Sequence, residues 1–511
     1  MSASRTKLPR SGLERELLRE KGQFWTPAWV AEAMIGYTIA NGCSSIFDPA
    51  VGQGAFFHAA KSISAKLGAR ITLRGTEIDP QALQSARRSG LSDSDLAYVE
   101  LRDFVLDPPE GPFEAIVANP PYIRHHRLSS EVKGRLKAFG KSVIGQALDG
   151  RAGYHVYFLL RALQLLDNGG RLVFIMPADT CEGVFAPVLW GWITSHYRLE
   201  AVVTFRSRAS PFPDVDTNPV VFMIKNDKPL DRFLWVRCTE PNTEDFKAWS
   251  LSRFRDRSFR GLSISERSLR EGLATGLSRP PCEDDSEGPV LHDYAEVRRG
   301  IATGANNFFF LTAKQAKALG IPHEFLIPAI GRTRDVPGDA ITHETLSLLE
   351  AAGRPTLVFS PDDRPLEGFP KSVREYLEQG KLKGLDKRPL MSQRRPWYRM
   401  EKREVPPILF AYLGRRNARL LRNLADVVPL TCFLCVYPRS KDPCFVDKLW
   451  KVLQHPLTLA NLPRISKSYG AGAIKAEPRA LEKLPLPVSV IAEVGLPLPE
   501  RAVQTEFCFD R

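Results

Sequence analysis

Ser45-Ile46-Phe47-Asp48-Pro49-Ala50-Val51-Gly52-Gln53-Gly54-Ala55-Phe56-Phe57 reads as a β-strand, a glycine turn and the first residues of a helix. In an open α/β sheet that junction is where a nucleotide-like ligand meets the carboxyl end of a strand. Gly52 and Gly54 let the backbone approach such a ligand closely. A phosphate loop would carry Lys followed by Ser or Thr in this turn, and neither is present. Asp48 would repel a pyrophosphate and favour a cation. S-adenosylmethionine (SAM), with a sulfonium and an α-ammonium, is the nucleoside-like ligand that fits, and Asp48, Ala50 and Gly52 are the turn residues expected to hold it.

The next two strand ends continue the pattern. Ile71 to Asp79 reads as a strand ending in carboxylates, with Glu77 placed to grip a ribose diol, Ile78 beside it, and Asp79 suited to capping the following helix. Val99 to Phe104 supplies Asp103 to accept from an adenine amine and Phe104 to pack on its ring. A fourth apolar run, Phe113 to Ala118, ends in Asn119-Pro120-Pro121-Tyr122. An amide oxygen and a freed proline carbonyl beside an aromatic face can hold both hydrogens of a planar NH2 group. An amine conjugated to a ring needs that arrangement, because its lone pair is available only once it is turned toward the electrophile.

In this order the blocks resemble the TaqI-like gamma class of amino-methyltransferases, which methylate adenine in DNA. The resemblance covers most of the chain. Gly22 to Met34, with Thr26 and Pro27 opening a helix, is similar to the class's N-terminal motif; the same pair also makes an ordinary helix start. The resemblance implies a Rossmann-like SAM-dependent methyltransferase sheet followed by a C-terminal α+β target-recognition domain. It implies cofactor contacts from Thr26, Pro27, Asp48, Ala50, Gly52, Glu77, Ile78, Asp103, Phe104, Asn119 and Pro121, and catalytic roles for Asn119, Pro120 and Tyr122. Phe212, in Pro211-Phe212-Pro213, is the candidate for the aromatic opposite Tyr122, with a core phenylalanine as the alternative. Val297 to Phe309 and Lys467 to Pro478 resemble the start and end of the recognition part. The implied reaction is direct methyl transfer to the exocyclic N6 amine of a flipped-out adenine, in a restriction-modification or defence system.

Bulk properties point the same way. A chain of 511 residues, 43% hydrophobic, exceeds one ordinary core, and a net charge of +13 suits a polyanionic partner, double-stranded DNA first. The expected division is an arm over 1–20, a catalytic domain over 21–227, a connecting segment over 228–289 and a recognition domain over 290–500. Arg394 to Arg399 and Tyr412 to Asn417 are basic clusters with aromatics suited to phosphates. Among eight cysteines only Cys432 and Cys435 have a familiar spacing, in a run that reads as a buried strand, so packing thiols are expected and no metal. No Pro-Cys nucleophile loop supports cytosine C5 chemistry. No membrane span or secretory signal is read; a prokaryotic cytoplasmic, nucleoid-associated protein, monomeric on DNA, is expected, and whether a separate restriction endonuclease accompanies it is left open. His125-His126 reads as a loop feature. RNA adenine or protein-glutamine methylation, and a silent SAM- and DNA-binding subunit, are the rival readings.

Overall fold

In the computed structural model the described residues are 25–213, 218–281, 288–411, 419–465, 467–468 and 474–499. They form two compact units that part within 282–287. The arm over 1–20, the Tyr412 to Asn417 cluster and the middle of the Lys467 to Pro478 block lie outside the described residues.

The first unit is built on a nine-stranded sheet of order β3-β2-β1-β4-β5-β7-β6-β8-β9. Its strands are β1 Ser45–Asp48, β2 Thr72–Glu77, β3 Val99–Leu101, β4 Phe113–Ala118, β5 Leu166–Pro177, β6 Arg198–Phe205, β7 Pro219–Lys225, β8 Arg232–Cys238 and β9 Leu262–Ser268. Strands β3 through β5 run parallel, and β7 lies antiparallel between β5 and β6. The central strands are apolar along their length because helices cover both faces of the sheet. Period-two alternation then sorts the side chains into two cores: Ile116, Ala118, Leu172, Phe174 and Phe222 on one face, Ala115, Val117, Val173, Ile175 and Val221 on the other.

Helix α1 (Ala28–Ala40) is buried from Val30 to Ile39 except at Glu32, lying between α2 (Ala55–Leu67) and α6 (Glu244–Leu251). Between these in the chain come α3 (Pro80–Arg88), α4 (Ser130–Ile144) and α5 (Tyr154–Gln164). The turn after β1 depends on two glycines. Gly54 caps α2 at φ 81°, and a Cβ there would fall 2.2 Å from Leu91 Cδ1. Gly75, on β2, lies under the turn, where a Cβ would sit 2.6 Å from the Asp48 carbonyl oxygen.

The stretch 228–289, expected to be a connecting segment, contributes more than a connection. Phe233, Trp235, Val236 and Cys238 of β8 are buried, and β8 pairs with β6 in parallel and with β9 antiparallel. Arg232 of β8 and Ser263 and Glu266 of the edge strand β9 are exposed and contribute to the segment's polar composition.

The second unit contains a five-stranded sheet and a four-stranded sheet. In the first, Ala295–Arg299 pairs with Phe433–Pro438, which pairs in turn with Ile408–Ala411. Cys435 is buried in that strand, its thiol pushed up to about 11 by burial, as packing thiols require. Gly300 follows the first strand at a close backbone crossing, where a Cβ would meet the Leu430 carbonyl oxygen at 2.3 Å. The Arg394 to Arg399 cluster divides in the structure. Arg394 donates to the carbonyls of Ala302 and Thr303 and Tyr398 is buried, whereas Arg395 and Arg399 are exposed.

Candidate active site

The carboxyl ends of β1, β2 and β4 and the loops that follow them surround a cavity of about 660 Å³, in the about 300–1,000 Å³ range of small-molecule sites. Thr26, Asp48, Ala50, Gly52, Glu77, Ile78, Asp103, Phe104, Asn119 and Pro121 all line it, alongside Trp25, Arg102, Ile123, Tyr154 and Phe158. Pro27 does not line it; its carbonyl instead accepts from Val30 and Ala31 at the start of α1. Pro120 is buried and is not among the lining residues.

The acidic side chains are held by backbone donors. Asp48 Oδ1 accepts from Ala50 N at 3.0 Å, while Oδ2 is buried without a hydrogen-bond partner among the described residues. Burial, with the Glu77 charge nearby, pushes this carboxyl up to about 8. Glu77 Oε2 accepts from Gly52 N at 2.7 Å, and Oε1 from Ile78 N and Asp79 N at 2.8 Å each. One carboxylate thus ties the β1 turn to the β2 turn and keeps an acceptor site in reserve, since two oxygens offer about four. Asp79 caps α3, accepting from Gln81 N. Ile78 is 69% exposed on the rim, an open apolar surface.

Asp103 accepts from Val105 N and Leu106 N, and Tyr154 donates to its Oδ1 at 2.8 Å and Oδ2 at 3.0 Å. Burial first, then the Asp103 charge, raises the Tyr154 hydroxyl far above its ordinary value, so it stays protonated and a donor. Sequence reading missed Tyr154; the only signal was an aromatic at the start of an apolar helical run. Phe104 is 2% exposed and packs on Phe158 at 5.3 Å.

Asn119 Nδ2 donates to Thr26 Oγ1 at 3.1 Å. That bond orients the amide, and it makes the N-terminal block part of the site rather than only a helix start. Tyr122 behaves differently. Its hydroxyl lies deep and donates to the Ile175 carbonyl at 3.0 Å, and its ring meets His155 edge-on at 5.9 Å. Phe212 takes the alternative place read for it: it is 5% exposed, belongs to the apolar core on the Val173 and Ile175 side of the sheet, and is not among the residues lining the cavity. His125 and His126 form a short 3-10 turn after the tetrapeptide, as a loop feature would.

The chain matches two families, described as Eco57I restriction-modification methylase over residues 95–212 and as the type II methyltransferase M.Eco57I C-terminal domain over residues 282–503. Both models describe type II restriction-modification methyltransferases, and the chain is similar to that family in each of its two units. Type II methyltransferase M.AccI of Acinetobacter calcoaceticus is 22% identical, aligned over 90% of this chain and 84% of its own. M.XamI of Xanthomonas campestris pv. amaranthicola is 24% identical, over 91% and 85%. Among solved structures, the type IIL restriction-modification enzyme MmeI in complex with DNA shares the fold with a TM-score of 0.51 at 11% identity, covering 93% of this chain and 64% of that one. The type IIG restriction endonuclease BpuSI gives a TM-score of 0.47 at 16% identity, covering 93% and 61%. The chain therefore spans about three fifths of the length of these two solved enzymes.

With its similarity to type II methyltransferases along about nine tenths of the chain, the protein is a SAM-dependent DNA methyltransferase. The cavity lining is compatible with that cofactor: Asp48 Oδ2 is buried without a hydrogen-bond partner among the described residues, Glu77 stands at the β2 end, and Asp103 with Phe104 stands at the β3 end. No helix among the described residues is long and apolar enough to cross a membrane.

Proposed function

We propose that the chain is a site-specific adenine-N6 DNA methyltransferase. The observation that carries this reading is the Asn119 amide, held by Thr26 on the wall of an acid-lined cavity and followed directly by Pro120, Pro121 and Tyr122. The target adenine is rotated out of the duplex to reach the site. Asn119 Oδ1 and the Pro120 carbonyl accept the two amine hydrogens and turn the lone pair toward the cavity. Tyr122 stacks on the base and recovers roughly 1–3 kcal/mol of the lost stacking. When bound, SAM would supply the electrophilic methyl group, its sulfonium becoming a thioether as the S–CH3 bond breaks, and the amine nitrogen would take the methyl directly without a covalent enzyme intermediate. The extra proton then leaves to solvent, so the reaction asks for no strong general base.

The remaining side chains take supporting parts in this reading. Asp48 faces the cofactor cation, Glu77 the ribose, Asp103 and Phe104 the adenine of the cofactor, with Ala50, Gly52, Ile78 and Pro121 completing the walls. Residues 290–500 select the sequence and 21–227, extended by β8 and β9, carry the chemistry. Arg124, Arg127, Arg135, Lys137 and Lys141 are exposed between the tetrapeptide and the end of α4, with Glu131 as the acid among them, and the Arg135 charge is felt at the Tyr154 hydroxyl. Such a surface beside the cavity suits a phosphate backbone. In the cell the enzyme acts as a monomer on nucleoid DNA in a prokaryotic cytoplasm, alongside a separate endonuclease.

The deciding experiment incubates the protein with methyl-labelled SAM and unmethylated genomic DNA, then digests to nucleosides. Label in N6-methyladenine at a defined sequence is the expected result. Label only in RNA or in a protein glutamine would keep the amine chemistry and overturn the substrate. Retained SAM binding without transfer to any of them would indicate a silent subunit.

A further inference from the structure

His155 is a buried titratable group beside the tetrapeptide that the chemistry above does not use. It occupies the second position of α5 and is 7% exposed. One edge meets the Tyr122 ring at 5.9 Å and 67°. The imidazole also lies close to Gly153, where a Cβ would come 2.6 Å from its Cε1, 2.8 Å from Nδ1 and 3.0 Å from the Ile123 carbonyl oxygen. The ring thus has both Tyr122 and the Gly153 backbone as near neighbours. Neither ring nitrogen has a hydrogen-bond partner among the described residues. Burial brings the imidazole down to about 4, so near neutrality it is uncharged and carries one donor and one acceptor, both unspent.

Packing alone does not ask for this residue. Val156, Phe158, Leu159 and Leu160, which follow it on α5, are all buried apolar groups. An apolar ring at 155 would fill the same space without stranding two polar atoms away from water, which costs folding free energy. A buried polar group without a hydrogen-bond partner among the described residues, in contact with the aromatic expected to receive the base, is accounted for if the base itself supplies the partner.

We propose that His155 is a positioning residue for the target adenine: its ring sets the face of Tyr122, and its unspent nitrogen hydrogen-bonds the polar edge of the seated base. This rests on the adenine-methylating reading of the site. The role is that of a group acting on base seating, and the methyl transfer step itself is left to Asn119 and Pro120.

The test uses the full chain and a duplex containing the recognised sequence, with 2-aminopurine in place of the target adenine to report base flipping. His155→Phe is expected to keep or raise the melting temperature and to leave SAM affinity unchanged. It should weaken base flipping and raise KM for DNA by at least about tenfold, as expected when a seated group is misplaced. His155→Gln, which keeps a donor and an acceptor, should stay within a few fold of the parent. Gly153→Ala pushes on the imidazole, and its backbone at φ −78° and ψ 167° accepts alanine, so it should reproduce the flipping defect with SAM binding intact. Normal flipping and KM in His155→Phe would overturn the proposal. So would normal flipping in Gly153→Ala, which decides the matter if His155→Phe does not fold. Failure of the parent protein to methylate DNA adenine would instead remove the reading beneath it, so the two failures are distinguishable.

Discussion

On the cavity side of Asn119 the polar groups are held by backbone donors close to them in the chain or at the next strand end. Glu77 takes three amides and Asp103 takes two, while Asp48 takes one and keeps one oxygen in reserve. On the other side the aromatic groups are packed inward: Tyr122 is hydrogen-bonded to Ile175, His155 is buried beside it, and Phe212 is in the core. The first arrangement is ready for a small cationic nucleoside before any ligand arrives. The second is packed inward, with Tyr122 half-buried, and on the proposed function it is the side that receives the flipped base. Preorganised acceptors are therefore concentrated where the proposed ligand is small.

The largest expected effect separates the two sides most sharply. Asn119→Ala removes the acceptor for the target amine and should lower methyl transfer on the order of 10³-fold, the scale of losing a group aimed at the reacting atoms. SAM affinity, by equilibrium dialysis or calorimetry, should change by less than about threefold, because Asp48, Glu77 and Asp103 are untouched. A collapse of SAM binding in the same variant would mean that Asn119 and Thr26 support the cavity wall and that the two sides are one structure.

The next effect is a pH dependence confined to the cavity side. Burial pushes Asp48 up to about 8, against about 3.9 for an unfolded aspartate. A carboxyl raised in this way favours the folded state while protonated, and its contribution is lost as pH rises through about 8. A cation bound against it favours the ionised form, so binding releases a proton below that pH. SAM affinity should therefore climb between about pH 6 and 8, by up to about tenfold per unit, and level off above. Asp48→Asn should flatten the profile and weaken binding at pH 8. Titration calorimetry in buffers of different ionisation enthalpy would count the proton; a flat profile in the parent protein would place the cation elsewhere.

The cavity side was also the legible side, for a physical reason. Asp48 to Gly54, Glu77 to Asp79, Asp103-Phe104 and Asn119 to Tyr122 each put their chemistry at one strand end, and a parallel sheet brings successive strand ends together without further information. The bonds that join those blocks were not legible. Tyr154 reaches Asp103 across 51 positions and Asn119 reaches Thr26 across 93, and nothing local announces either pair. Strand β9 escaped because an edge strand tolerates Arg, Ser and Glu on its open positions and so resembles a linker in composition, and β8 escaped with it because Arg232 and Arg237 interrupt its short apolar run. Arg394 escaped because a run of arginines does not say which member turns inward to carbonyls. His155 escaped because a histidine among apolar helical residues looks like any other core position.

The smallest expected effect tests the inward-packed side. Phe212→Leu substitutes one apolar core group for another and should cost about 1 kcal/mol of stability, seen as a small fall in melting temperature. Methylation of duplex DNA should remain within about twofold of the parent protein, because a ring folded into the core contributes no stacking face. Had Phe212 served as the second half of a base sandwich, losing it would forfeit roughly 1–3 kcal/mol of stacking, and KM for DNA would rise five- to about a hundredfold without a matching loss of stability. The ratio of the two changes carries the decision. Stability falling with activity intact assigns the ring to the core and leaves Tyr122 as the stacking face, while activity falling with stability intact means that the segment around Pro211 opens when DNA binds and that this side rearranges further than Tyr122 alone.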